Sequence, residues 1–184
     1  MATYSVNDVD DKGGRPNIPN KTVVFLRCMG IEKTVSKKGN DMLVFKWEIA
    51  ATVNNTDELN IGGKPTKIAG LQLTDWVVLG IDMGMKKLKA IIRATDAPTS
   101  LDVEDPEVLK QAFLGKGIRA EIKTEEVTKM QNSDQIDAET GKAVEVPMLD
   151  DDGNPIKDNN YRLVTVVGKG SDYTIPFDSV KSAF

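Results

Sequence analysis

The chain has no histidine among its 184 residues and a single cysteine. Without imidazole it lacks the commonest general base and the commonest neutral metal ligand. A serine or cysteine nucleophile would have no histidine to activate it, so hydrolase triads are not expected. Cys28 alone closes no intramolecular disulfide and builds no thiolate zinc cluster. Set in an apolar run, it reads as a small buried hydrophobe in a reducing interior. Aromatics are scarce, with five Phe, three Tyr and two Trp, so each one counts for more. No apolar run approaches membrane-spanning length, and Met1–Ser5 lacks the apolar core of a signal peptide. A cytoplasmic protein with no membrane association is the expectation. The net charge of −4 does not announce a nucleic-acid binder, yet a basic groove coexists with acidic segments in many of them.

What is present is mostly β pattern. Val23 to Gly30 is a strand candidate, with Val24, Leu26 and Cys28 on one side and Phe25, Arg27 and Met29 on the other. Ser36-Lys37-Lys38-Gly39-Asn40-Asp41 is a charged turn whose Gly-Asn pair suits positive φ. Met42 to Ile49 then alternates, Leu43, Phe45, Trp47 and Ile49 facing one way and Lys46 the other. The two segments predict a β-hairpin that holds Lys37 and Lys38 at its rim. Asn54 to Lys67 reads as a polar loop, and its Gly62-Gly63-Lys64-Pro65 lacks the spacing of a phosphate loop. Thr66 to Leu79 reads as a further strand, with Leu71, Leu73 and Trp76 toward the core.

From Met83 to Ala94 the period becomes helical. Met85, Leu88, Ile91 and Ile92 lie opposite a solvated face of Lys86, Lys87, Lys89 and Arg93. Asp105-Pro106-Glu107 opens a second short helix, which Gly115 ends. Gly117 to Val127 returns to strand. A polar excursion with two turn signals follows from Lys129 to Asn160, and Tyr161 to Val167 is the last strand.

The predicted fold class is mainly β with one or two helices. It is an OB-like, five-stranded Greek-key barrel with a helix after the third strand and an inserted β-arm, and another α+β sheet fits nearly as well. The expected organisation is a flexible N-terminal arm over 1–20, one OB-like domain over 21–168 carrying the arm 129–160, and a C-terminal tail over 169–184.

Candidate chemistry is local. Between Lys21 and Lys46 six cations stand against two acids. Phosphate neutralisation gives salt-sensitive, sequence-tolerant affinity, and aromatic faces hold unstacked bases. Arg27, Lys37, Lys38, Lys46, Arg119 and Lys123 are the candidate phosphate contacts. Phe25 and Tyr161 are the candidate stacking residues, while Trp47 and Trp76 are assigned to core packing. Glu121 and Lys123, with Asp102 and Asp105 upstream, give a weak likeness to the acid-and-lysine array of metal-dependent nucleases. The Asp residues there read as helix-start residues. Asp150-Asp151-Asp152-Gly153-Asn154 lacks the calcium-loop alternation and reads as a solvated turn. No cofactor or metal is expected.

The segment Ile31 to Ile49, with its Ser-Lys-Lys-Gly-Asn turn, then Met42 and an alternating strand, resembles the first hairpin of bacteriophage single-stranded DNA-binding proteins. Met85 to Thr95 is similar to their helix, and Asp105 to Glu121 to their passage of acidic helix, Leu-x-Gly-Lys and strand. The likeness covers roughly residues 21–127 and 161–168. It implies an OB-like barrel whose sheet face and hairpin loops hold single strands, with Lys37, Lys38 and Asn40 at the rim and Lys46 on the strand.

The expected function is a non-enzymatic, sequence-tolerant protein that coats exposed strands during phage DNA replication or recombination in the host cytoplasm. Its expected partner is single-stranded DNA, and the tail is a candidate contact for replication or recombination proteins. Whether it forms a homo-oligomer is left open. A phage structural or host-directed interaction module is the alternative, and a metal-dependent nuclease the third reading.

Overall fold

The computed structural model describes residues 14–170. They fall into two compact units. One holds residues 18–124 and 161–170, and the other residues 14–17 and 125–160. In chain order the strands of the first unit begin with β1 (Thr22–Val35), β2 (Asp41–Thr52), β3 (Glu58–Ile61), β4 (Lys64–Lys67) and β5 (Gln72–Val78). The helices α1 (Asp82–Thr95) and α2 (Pro106–Phe113) follow, and then β6 (Gly117–Thr128). Next come β7 (Met130–Ile136) and β8 (Ala143–Pro147), and β9 (Lys157–Lys169) closes the order.

The main sheet has five strands in the order β5-β2-β1-β6-β9. β1 runs antiparallel to both β2 and β6, and β2 antiparallel to β5. Among the described residues the protein is therefore mainly β with two helices. No strand pairing among them closes the sheet into a barrel, and β5 and β9 end the strand order. Register shifts leave Met29 and Ala50 without a cross-strand partner in the β1–β2 ladder. Such bulges bend a strand and increase its local twist.

The alternation read in the sequence explains which face is buried. Val24, Leu26 and Cys28 of β1 and Leu43, Phe45, Trp47 and Ile49 of β2 lie in the core. Leu73 and Val77 of β5 join them, as do Ile118, Ala120 and Ile122 of β6. Phe45 stacks on Trp47 with centroids 5.4 Å apart and meets Phe113 of α2 edge-on at 5.2 Å. Offset and edge-on rings each add to simple area burial.

Helix α2 starts as its sequence predicts. The Asp105 carboxylate accepts hydrogen bonds from the backbone N–H of Glu107 (2.9 Å) and Val108 (3.4 Å), with Pro106 in the first turn. Helix α1 packs against β5 at Gly84, where a Cβ would sit 1.8 Å from the Val78 carbonyl oxygen. Only glycine permits that approach.

Several expectations are corrected. Gly62 and Gly63, both with positive φ, turn the predicted polar loop into the β3–β4 hairpin. Ile18, assigned to the flexible arm, is fully buried in the core, and its carbonyl accepts from Thr124 Oγ1 at 2.6 Å. Residues 1–13 and 171–184, to which most of the arm and tail expectations belong, lie outside the described residues.

In the second unit β7 and β8 pair antiparallel. The Asp137 carboxylate anchors the turn between them, accepting from the Thr140 N–H, the Thr140 hydroxyl and the Glu139 N–H, and these bonds hold its pKa below the ordinary value. Asp150 shapes a similar turn, accepting from the N–H groups of Asp152 and Asn154.

Candidate nucleic-acid interface

The β1–β2 hairpin ends in the predicted turn. Ser36 N–H donates to the Asn40 carbonyl (2.8 Å), and the Ser36 hydroxyl accepts from Asn40 N–H (3.0 Å). Gly39 takes the positive φ of 81°, which a residue with a Cβ rarely adopts. Lys37, Lys38 and Asn40 are exposed, and neither lysine forms an ion pair among the described residues. Asp41, beside the turn, is instead engaged by Lys33 at 3.3 Å.

The strands carry this rim onto the face of the sheet opposite the core. There Lys46 pairs across with Gly30, and the aliphatic stem of Lys46 lies over that glycine. Its ammonium group is 3.7 Å from Glu32, an exposed pair that adds little to stability. Arg27 stands opposite Glu48 and donates to its carboxylate at 2.7 Å. Much of its charge is thereby satisfied within the sheet. On β6, Arg119 pairs across from Phe25, and its guanidinium lies over Gly168 of β9. Lys123 follows by alternation on the same side of β6, half-buried. Six candidate phosphate contacts are thus distributed over one sheet face and its hairpin tip.

The aromatic assignments fare differently. Phe25 is on this face but only 5% exposed, packed with Ala50 and Ala51, so its ring offers no open surface to a base. Tyr161 is 2% exposed and belongs to the main core, on the wrong side of the sheet. Trp47 is in the core as expected, whereas Trp76 is not. Trp76 is 50% exposed and stands directly opposite Val44, so its indole shares the open face with Lys46, two residues along β2.

The signal for Trp76 was available in the sequence. Leu73 and Val77 are an even number of residues apart and both buried, so Trp76 must face the other way. The same parity sends Asp75 inward. Asp75 is 6% exposed and ion-pairs with Lys87 of α1, which removes Lys87 from the predicted solvated helix face. Burial raises the Asp75 pKa above its ordinary value, against the lowering attraction of Lys87 and of Arg162 on β9. One of its oxygens, Oδ2, has no hydrogen-bond partner.

Asp102 and Asp105, read with Glu121 and Lys123 for the nuclease likeness, take part in local turns and caps. Asp105 caps α2, Asp102 accepts from the Glu104 N–H at 3.0 Å, and Glu121 lies across from Val23 on the sheet. Among the described residues no group of three or more Cys, Asp or Glu side chains is placed to hold a metal ion, and no helix is long and apolar enough to cross a membrane. In comparison with known proteins, no family model and no curated protein matches the chain.

Proposed function

We propose that this chain is a non-enzymatic, sequence-tolerant single-stranded DNA-binding protein of the phage type, built on an OB-like scaffold. The observation that carries the reading is the half-exposed Trp76 beside Lys46, on the sheet face that leads to the unpaired Lys37–Lys38 tip. An open indole next to cations suits an unstacked base joined to its phosphate. A rigid duplex presents no free base face to it. Two features support the scaffold. The helices follow the third strand of the main sheet, as in the OB order. Bulges at Met29 and Ala50 bend β1 and β2.

The test is fluorescence anisotropy with labelled single-stranded and duplex oligonucleotides of equal length, over a salt series and without divalent metal. Tight, salt-steep preference for the single strand is expected. Replacing Lys37 and Lys38 together by alanine flattens the slope of log K against log salt by about one to two units. Absence of binding at low salt defeats the function, and an unchanged slope defeats the assignment of the tip.

A further inference from the structure

The two compact units carry charge of opposite sign. Among the described residues, the unit over 18–124 and 161–170 holds 18 cations and 13 acids, whereas the unit over 14–17 and 125–160 holds four cations and ten acids. The chain is therefore a basic body and an acidic ribbon. The ribbon also leaves one face open. Met130 lies across from Pro147, Asn132 from Glu145 and Ile136 from Ala143, and residues directly opposite one another point to the same face. Glu145 thus stands between two apolar pairs. Met130 is 46% exposed and Ile136 63%, and Pro147 and Glu145 are exposed beside them. Glu145 forms no ion pair among the described residues. A two-stranded ribbon is at best marginally stable alone in water, so an apolar face left open on one marks a contact surface.

The basic body offers a surface complementary to it. Beside α1 runs an open groove of about 890 Å³ that the DNA-binding reading does not use. Leu88, Ile92 and Leu101 line it, with Met85, 47% exposed, toward the start of the helix. Lys89 and Arg93 rim it, both exposed and without an ion pair among the described residues. The lengths also agree. Ala143 and Pro147, which carry the two apolar pairs, are about 13 Å apart at about 3.3 Å per residue, with Glu145 midway. From Met85 to Arg93 the helix rises about 12 Å at about 1.5 Å per residue, with Lys89 midway. A central carboxylate can therefore face a central ammonium, with apolar side chains to both sides of each.

We infer that the β7–β8 ribbon of one copy seats in the α1 groove of a second copy, with Glu145 at Lys89 and Arg93 and with Met130, Pro147 and Ile136 on the apolar floor. Ribbon and groove are different surfaces, so the contact is heterologous and links copies head to tail. The association needs no DNA, and its failure leaves the proposed function standing. On a shared strand the same contact would hold neighbouring copies together, a consequence that rests on that function.

Sedimentation velocity on the full chain without DNA, over a dilution series at low and high salt, tests this. The average mass is expected to rise with protein concentration at low salt and to fall to the monomer at high salt, because salt screens exposed charges. Glu145→Lys in one variant, and Lys89→Glu with Arg93→Glu in another, each set like charges against one another in the contact. Each is expected to weaken association about tenfold or more. Mixed in equal amounts the two variants should associate again, since each ribbon then meets the other variant's groove with opposite charge. A wild type that stays monomeric at low salt overturns the inference. So does association that ignores salt, that persists undiminished in either variant, or that the mixture fails to restore. Thermal melts of each variant establish that the comparison is made on folded protein.

Discussion

Replacing Trp76 by alanine separates what the indole does for the fold from what it does for a ligand. A fully buried aromatic side chain covers about 150–250 Å². Being 50% exposed, Trp76 gives the fold about 100 Å². At about 25 cal/mol per Å² the upper bound on the stability lost is about 2.5 kcal/mol. The open half is what a base stacks on, and its removal is expected to cost about 1–3 kcal/mol of binding, or about 5- to 150-fold in Kd. The salt slope should stay where it is, because an indole neutralises no phosphate. Anisotropy titrations at several salt concentrations give both quantities. Intrinsic fluorescence gives a third, since the only other tryptophan, Trp47, is sealed in the core. Quenching on addition of single-stranded DNA is expected in the wild type and lost in Trp76→Ala. A folded variant with unchanged Kd and undiminished quenching would refute the role of this face.

Gly84→Ala forces a methyl group into the Val78 carbonyl, so α1 must shift from β5. A loss of about 1–3 kcal/mol or more, read by urea denaturation, is expected, and a neutral result would show that the helix is free to slide. Asp75 has a folded pKa above its unfolded 3.8, so the native state holds the proton more tightly than the unfolded chain does. Between those two values stability falls as pH rises. The difference in unfolding free energy between wild type and Asp75→Asn should therefore shift against the wild type over that window, and an opposite trend would mean that Lys87 outweighs burial. Cys28 should resist alkylation at pH 8 in the native protein and react in urea, as followed by mass spectrometry.

Much of the sheet was legible because burial on one face imposes period two. β1, β2 and β6 each declared their inner residues, and Asp105-Pro106 declared a helix start. The misreadings have physical causes of their own. A large aromatic near Leu73 was grouped with it by size, although parity separates Trp76 from Leu73. Tyr161 was offered to a ligand as a stacking aromatic, yet nearly all of its surface lies in the core. Lys87 looked like one more solvated cation, since nothing local in the sequence reveals that its partner Asp75 is twelve residues back and buried. Strand lengths and the bulges at Met29 and Ala50 come from pairing with other strands, which a single strand's pattern does not encode.

The position of β1 has a consequence for how the protein is made. β1 takes its first neighbour from the adjoining hairpin, but its second neighbour is β6, where Thr22 meets Ile122. During synthesis the β1–β2–β5 meander can form early, because its contacts are close in sequence. One edge of β1 then waits, with unpaired backbone groups, until α1, α2 and β6 have emerged. Such an edge is a template for pairing with another chain. Arg27, on that waiting strand, already has its charged partner Glu48 within the early hairpin. A nascent chain stalled before residue 117 would therefore carry a nearly complete hairpin and an open middle strand, the species most prone to associate with its own kind.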